Sequence, residues 1–296
     1  MVAVAIATGL TSGCPASRKT VVAPPGATTP VQSATKEQLL AQYNRLAESI
    51  TSLNAAVTMK LTAGSAYTGV IEQYHEVNGF ILAQRPSSIR VIGQAPVIGK
   101  NVFDMVSDGE TFHIFIPSKG KFIVGQAKLQ RMSAKPIENL RPQHVIDAIL
   151  WPVIEKGNPV LFEQANGEGS RYYVLTSIRP TENGPIGDMR GSNAAEWEIA
   201  QKVWFDRTDL NVSRIQVYGP GGSVVSDTRC ASWDKFGTSM YPRQITVSRP
   251  DEDYELQIEI KRLSVNEPIT ADRFVLEQPP GTELVRVGEG NKEQQP

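Results

Sequence analysis

The side chains able to do chemistry in this sequence are few and scattered. There are three histidines, His75, His113 and His144. Histidine metal sites announce themselves by pairs at i,i+4 on one helix face or by Cys/His doublets. These three lie on separate segments with no such spacing, so no metal ligand set is expected. Gly219-Pro220-Gly221-Gly222-Ser223 is glycine-rich. A phosphate-cradling loop needs a helix after it and a Lys-Ser/Thr pair, whereas strand patterns flank this one on both sides, which makes it a hairpin turn. No G-x-S-x-G nucleophile elbow is present. Asp251-Glu252-Asp253 reads as a solvated acidic turn, Cys230 as a buried apolar filler beside Trp233, and Asn211-Val212-Ser213 as a sequon without consequence. No catalytic residue, metal or cofactor is expected, and the protein is not expected to be an enzyme.

The chemistry that remains is at Cys14. The thirteen residues before it carry no charge, and eight of the first ten are Ala, Val, Ile, Leu or Met. An apolar run of this length ending in small residues reads as a secretory signal, residues 1–13. Gly13-Cys14 resembles the lipobox of bacterial lipoproteins, with Leu10 one place further from the cysteine than usual and Thr11 in its slot. The resemblance implies that Cys14 becomes the first mature residue and carries acyl chains, which would anchor the protein to a membrane. Residues 15–34 contain four prolines and no acidic residue, a composition with no helix or strand period, so 14–34 reads as lipidated cysteine plus disordered tether. Twenty such residues span roughly 25 Å. Pro15 stands where aspartate retains such proteins at the inner membrane, which favours the outer membrane, facing the periplasm.

Composition excludes other classes. Over 296 residues the net charge is −1, with 21% charged and 40% hydrophobic residues. A nucleic-acid binder would need a basic stripe, so no nucleic-acid partner is expected. No run of 18 apolar residues exists to span a bilayer as a helix, and two cysteines make no disulfide scaffold. The chain is long enough for a sizeable core.

The elements that would position any site are mostly strands. Thr35 and Gln38 form a capping box, and Leu39, Tyr43, Leu46, Ile50 and Leu53 recur at spacings of four and three, an apolar stripe along about five helical turns. Short strand patterns follow at 56–63, 67–77, 80–84, 88–94, 101–107, 111–116 and 121–124, with Asn78-Gly79 as a hairpin signal. Pro142 to Leu150 reads as a second helix with proline in its first turn. Strands resume at 160–164, 171–178, 196–206, 212–218, 224–233, 244–249 and 254–263. Thr181–Ala195 is a loop, and 288–296 a disordered tail. The fold class is mainly β with minor α: a single domain, residues 35–287, built as an unclosed antiparallel half-barrel of about eleven strands. So large a meander must curl or close, and the two helices are the available lid.

In this order the features resemble the LolA/LolB-like outer-membrane lipoprotein-sorting carriers and acceptors. The resemblance is carried by Arg85-Pro86-Ser87-Ser88-Ile89-Arg90, the Ser107-Asp108-Gly109 turn into 111–116, Pro117-Ser118-Lys119-Gly120-Lys121-Phe122, Met240-Tyr241-Pro242-Arg243-Gln244-Ile245, and Asn266-Glu267-Pro268-Ile269 with Phe274 and Leu276. It implies an apolar cavity that binds acyl chains of lipoproteins or lipids and helps localise or receive them, with a periplasmic carrier or transporter as a possible partner and a monomeric state. It makes Arg90 the latch of the lid. It also matches Gln94-Ala95-Pro96-Val97-Ile98-Gly99 to a loop that inserts into the membrane through Val97 and Ile98, the other reading being a loop folded over the core. Strand alternation nominates Val91, Phe103, Met105, Phe112, Ile114, Trp197, Ile199, Val203, Phe205, Leu256, Ile258 and Ile260 for the inner wall, as cavity lining or as ordinary core. The alternative function is a structural or partner-binding envelope lipoprotein whose barrel is filled by its own side chains.

Overall fold

The computed structural model describes residues 30–64, 69, 71–128, 139–167, 170–181 and 196–287. Cys14, the signal segment, most of the tether, the loop from 182 to 195 and the tail from 288 lie outside these residues.

Helix α1 spans Lys36–Ser49 behind the expected capping box: Thr35 Oγ accepts from the Gln38 amide while the Gln38 side chain accepts from the Thr35 amide. The stripe is shorter than its period suggested. Ile50 is already extended at the C-cap and Leu53 belongs to the first strand. Helix α2 spans Pro142–Ile149, with Pro142 in its first turn as expected. The strands are β1 (Ser52–Ala63), β2 (Glu72–Gln73), β3 (Val77–Gln84), β4 (Ser88–Gln94), β5 (Asn101–Ser107), β6 (Thr111–Ile116), β7 (Lys121–Gln126), β8 (Val160–Gly167), β9 (Ser170–Pro180), β10 (Trp197–Asp206), β11 (Val212–Tyr218), β12 (Val224–Phe236), β13 (Ser239–Arg249), β14 (Tyr254–Val265) and β15 (Glu283–Val287).

Among the described residues these form one sheet, in the order β15-β7-β6-β5-β4-β3-β1-β14-β13-β12-β11-β10-β9-β8, with β2 appended to β1. The end strands β15 and β8 do not pair with each other, so the barrel is unclosed. Its curvature follows from a length comparison. Helix α2 touches β4, β5 and β13. On a flat sheet β5 and β13, five steps apart, would be separated by about 24 Å, yet an eight-residue helix is about 12 Å long. The sheet must wrap around it. The mainly β, open half-barrel architecture is therefore as expected, though the sheet has fifteen strands where about eleven were expected, and two local readings are corrected. Asn78-Gly79 is no turn: it lies within β3, where Asn78 faces Thr58 and Gln94. A Cβ on Gly79 would fall 2.2 Å from the Ile92 carbonyl oxygen, so this glycine serves close strand approach rather than reversal. And β15, unforeseen, pairs with β7 in parallel, reached by a segment that crosses the sheet and touches it through Arg90 and His113, which contact the carbonyls of Arg273 and Leu276.

The inner face carries two apolar clusters. One joins α2 to β1, β3, β4, β13 and β14 through Val145, Ile146, Ile149, Leu53, Ile81, Val91 and Ile258. The other joins α1 and Trp151 to β9–β12 through Leu39, Tyr43, Leu175, Val203, Phe205 and Ile215.

Candidate functional site

The site is the inner wall together with what covers it. Alternating side chains point inward because a strand's period is two. The structure brings most of the nominated residues into that wall. Val91, Met105, Val203, Phe205, Leu256, Ile258 and Ile260 are buried in the two clusters, and Phe103 and Ile114 lie half-buried against the first. Phe112 is buried beneath the Arg141 guanidinium, 4.9 Å from its ring centre. Ile199 is half-buried. Trp197 is 50% exposed, so it does not belong to a buried lining; it opens β10 at the sheet's rim.

The cover is α1, α2 and the linker that follows α2. A helix leaves its last four carbonyls without partners, and α1 carries no basic residue in its last turn. Neighbours from elsewhere supply the donors. Arg85, in the turn between β3 and β4, donates to the carbonyls of Ala47 at 3.0 Å and Ile50 at 3.1 Å. A further Arg85 bond, at 2.8 Å, reaches the carbonyl of Trp151 in the linker. Asn266 closes the same joint, accepting from the Thr51 amide and donating to the Ser49 carbonyl. A cation at a helix C-terminus also meets the negative end of its dipole. Arg85 is thus the arginine that ties the lid to the wall. Arg90, expected in that role, instead forms a two-point ion pair with Asp104 at 2.7 and 3.0 Å and donates to the Arg273 carbonyl. Arg90 stands inside β4, where its alternation turns it away from the inner face; Arg85 stands in a turn at the lid's edge. No sequence spacing separates the two roles.

Between α1, the end of α2 and the wall lies a cavity of about 10 Å³ around Arg85, Trp151 and Tyr241, the size of a single water. Elsewhere on the wall, Ile89, Val91, Val203 and Phe205 have no accessible surface. Among the described residues, packed helix stands at that place, where the sequence reading expected a pre-formed trough.

Helix α2 is held at its other end by a buried ionic cluster. Arg249 and Glu252, 8% and 6% exposed at the side chain, pair at 2.5 Å; Glu252 also lies 3.7 Å from His144 Nε2. His144 Nδ1 bonds the Tyr254 hydroxyl. The expectation of a solvated acidic turn therefore fails at Glu252, because β13 brings Arg249 beneath it. Burial, then the nearby Arg249 and Arg141 charges, hold the His144 pKa well below its ordinary 6.5. The sign follows: the folded state excludes a proton that the unfolded chain accepts below pH 6.5, so this group's effect is absent above that pH and destabilises as pH falls below it, by up to about 1.4 kcal/mol per pH unit. His144→Gln, which retains a hydrogen-bonding group without titrating, should lose stability less steeply than the parent between pH 7 and pH 5 in urea denaturation. Equal slopes would show that His144 is not the group responsible.

The loop after β4 is pinned by the Ala95 amide donating to the Lys100 carbonyl and the Gly99 amide to the Ala95 carbonyl, with Gly99 at φ 63°. At its tip Val97 is 94% and Ile98 67% exposed. It is not folded over the core. Among the described residues no group of histidine, cysteine and carboxylate side chains could hold a metal ion, and no helix is long and apolar enough to cross a membrane. Cys230 is buried, and burial raises its thiol pKa.

No family model matches the chain, and no curated protein sequence does. Solved structures are similar to it. One is a LolA superfamily protein from Nitrosomonas europaea, 12% identical, with a TM-score of 0.45 over 82% of this chain and 99% of that one. Another is a DUF1329 family protein from Desulfovibrio piger, 14% identical, with a TM-score of 0.47 over 80% of this chain and 94% of that one. A third, described as an outer membrane lipoprotein-sorting domain, comes from Vibrio parahaemolyticus and is 10% identical, with a TM-score of 0.42 over 79% and 94% of the two chains.

Proposed function

We propose that this is an envelope lipoprotein, anchored through Cys14, that shelters acyl chains of a lipid or lipoprotein against the inner wall of its half-barrel once the helical lid is displaced, and so helps receive such cargo at the outer membrane. The conformation described above is then the closed, unloaded one. The observation that carries this reading is the way the wall is covered. Its apolar residues lie under two short helices tied down by side chains such as Arg85 and Tyr241 donating to lid carbonyls, and not under further strands. A cover of this kind opens by exchanging a few hydrogen bonds. A sixteen-carbon chain in water costs on the order of 12 kcal/mol, so it can replace the lid's own apolar face against the wall. No catalysis is required, and release needs only a destination that holds the chain better. The second reading, a barrel filled by its own side chains and serving a structural or partner-binding role, is favoured by the cavity of about 10 Å³.

Two measurements separate them. Native mass spectrometry of a Cys14→Ser protein incubated with palmitate or lysophospholipid should show bound acyl species; a protein that stays unliganded through a hundredfold excess supports the filled reading. The Val97–Ile98 tip would bring the molecule to a bilayer. Val97→Glu and Ile98→Glu, at sites this exposed, should leave stability within about 0.5 kcal/mol. Each should lower partition of the Cys14→Ser protein into phosphatidylethanolamine–phosphatidylglycerol vesicles about tenfold or more, as expected for an apolar side chain worth about 1.5–3 kcal/mol when buried. Unchanged sedimentation with vesicles would remove the tip from the mechanism.

A further inference from the structure

Trp151 occupies an unusual place in the lid. It belongs to the linker just beyond α2 and is 3% exposed. Its ring stacks on Tyr43 of α1, with centroids 6.4 Å apart and planes 2° apart, and on Tyr241 of β13, at 6.0 Å and 14°. The edge of Trp233 in β12 meets it at 5.9 Å and 66°. Tyr241 is part of one apolar cluster and Tyr43 of the other. The indole therefore stands where the two halves of the wall meet, and the cavity of about 10 Å³ lies beside it.

The polar bonds around it divide into two sets. The first stays within the lid. Trp151 Nε1 donates to the Ala148 carbonyl at 2.9 Å, the Tyr43 hydroxyl to the Pro152 carbonyl at 2.7 Å, and Asn44 exchanges two bonds with Ile154, each 2.9 Å. The second joins lid to wall: Arg85 to the Trp151 carbonyl, the Tyr241 hydroxyl to the Ile149 carbonyl, and Gln201 to the Tyr43 hydroxyl. A buried donor stripped of its acceptor is costly. The indole N–H avoids that loss, because its acceptor sits on the same moving piece. The ring can leave the wall together with α2 and α1, and the socket it leaves is bounded by the Tyr241 and Trp233 rings, with Arg85 at its edge.

We infer that Trp151 is a built-in plug: its indole occupies the position through which a single linear acyl chain passes from one half of the inner wall to the other, and cargo binds by displacing it as one unit with α1, α2 and the 150–154 linker. This rests on the acyl-chain reading above and adds to it the place of binding and the group that competes for it. Whatever fraction of time the plug is seated lowers the apparent affinity by that fraction. Removing the plug therefore strengthens binding, whereas removal of an ordinary cargo-lining tryptophan weakens it.

The experiment uses the Cys14→Ser full chain with palmitate as probe, binding measured by calorimetry, and the variants Trp151→Leu and Trp151→Phe. Palmitate should bind Trp151→Leu at least tenfold more tightly than the parent, with Trp151→Phe between them. Saturating palmitate should shift the parent's tryptophan emission by more than that of Trp151→Phe, in which Trp233 is the tryptophan left bordering the socket. A folded Trp151→Leu protein with the parent's affinity or less overturns the plug, as does a variant that binds free indole in the vacated space but palmitate no better than the parent. Should Trp151→Leu not fold, the affinity of Trp151→Phe and the emission comparison decide in the same sense. If the parent, Trp151→Leu and Arg85→Ala all fail to bind palmitate, the acyl-chain reading itself falls and takes the plug with it; parental binding without plug behaviour overturns only the plug.

Discussion

Arg85→Ala is expected to lower stability by about 3 kcal/mol and to let an apolar fluorophore into the molecule. The guanidinium makes three side-chain bonds to lid carbonyls, those of Ala47, Ile50 and Trp151, and bonds to a charged donor are each worth about 1.5–3 kcal/mol, with water recovering part of the loss at this half-buried position. All three acceptors belong to the lid, so the loss falls on the closed state alone. Urea midpoints measure the first effect. A dye that brightens in apolar surroundings, titrated in native buffer and displaced by palmitate, measures the second. Arg85→Lys should recover little, because a single ammonium cannot reach three carbonyls as a planar fork does. If Arg85→Ala loses stability without gaining dye, the arginine is a structural cap and the lid does not open there. Arg90→Ala supplies the contrast. It breaks the pair with Asp104, on a β4 position whose alternation turns it away from the inner face, and should leave dye uptake at the parental level.

Glu252→Ala is expected to cost about 3–5 kcal/mol, the largest effect of any single charge removal here. Its carboxylate neutralises Arg249 in a site where both side chains are more than nine-tenths buried, and breaking one member of such a pair leaves the other charged and out of water. His144 and Arg141 sit in the same cluster on and beside α2, so the stranded charge should loosen the helix first. Hydrogen exchange should show amides of 145–150 losing protection before those of β1 and β14. A loss below 1 kcal/mol by urea denaturation would mean that water reaches the cluster and that Arg249 is not stranded. The double variant Glu252→Ala/Arg249→Met should recover much of the stability, since apolar residues of matching volume commonly replace buried pairs without loss.

Local chemistry made much of the fold legible. The Thr35/Gln38 box and Pro142 place both helix starts, and the alternation of Leu256, Ile258 and Ile260 against Glu255, Gln257 and Glu259 assigns β14 its inner face. The wall half of the site follows from the same rule. The errors share a cause, which is contact between distant segments. Asn78-Gly79 has turn chemistry, but the crowding of Ile92 and Met59 against Gly79 keeps it in a continuous strand. β15 is five residues long and finds its partner only through a crossing segment. Arg85 and Arg90 are indistinguishable by neighbours in sequence; what separates them is that one lies in a turn under a helix end and the other within a strand. Glu252 looks solvated until Arg249 is seen beneath it.

The sheet has one seam where its halves meet, β1 against β14, pairing Leu53 with Val265 and Ala63 with Tyr254. Closing it requires residues about two hundred positions apart to find each other, and long-range antiparallel pairing of this kind is slow. A chain emerging from its amino terminus therefore carries β1 with one open edge until almost the whole protein has been delivered. Exposed edges of that sort invite aggregation, so the nascent molecule should depend on holding factors, and any truncation that removes β14 should leave a sticky fragment instead of a smaller working one.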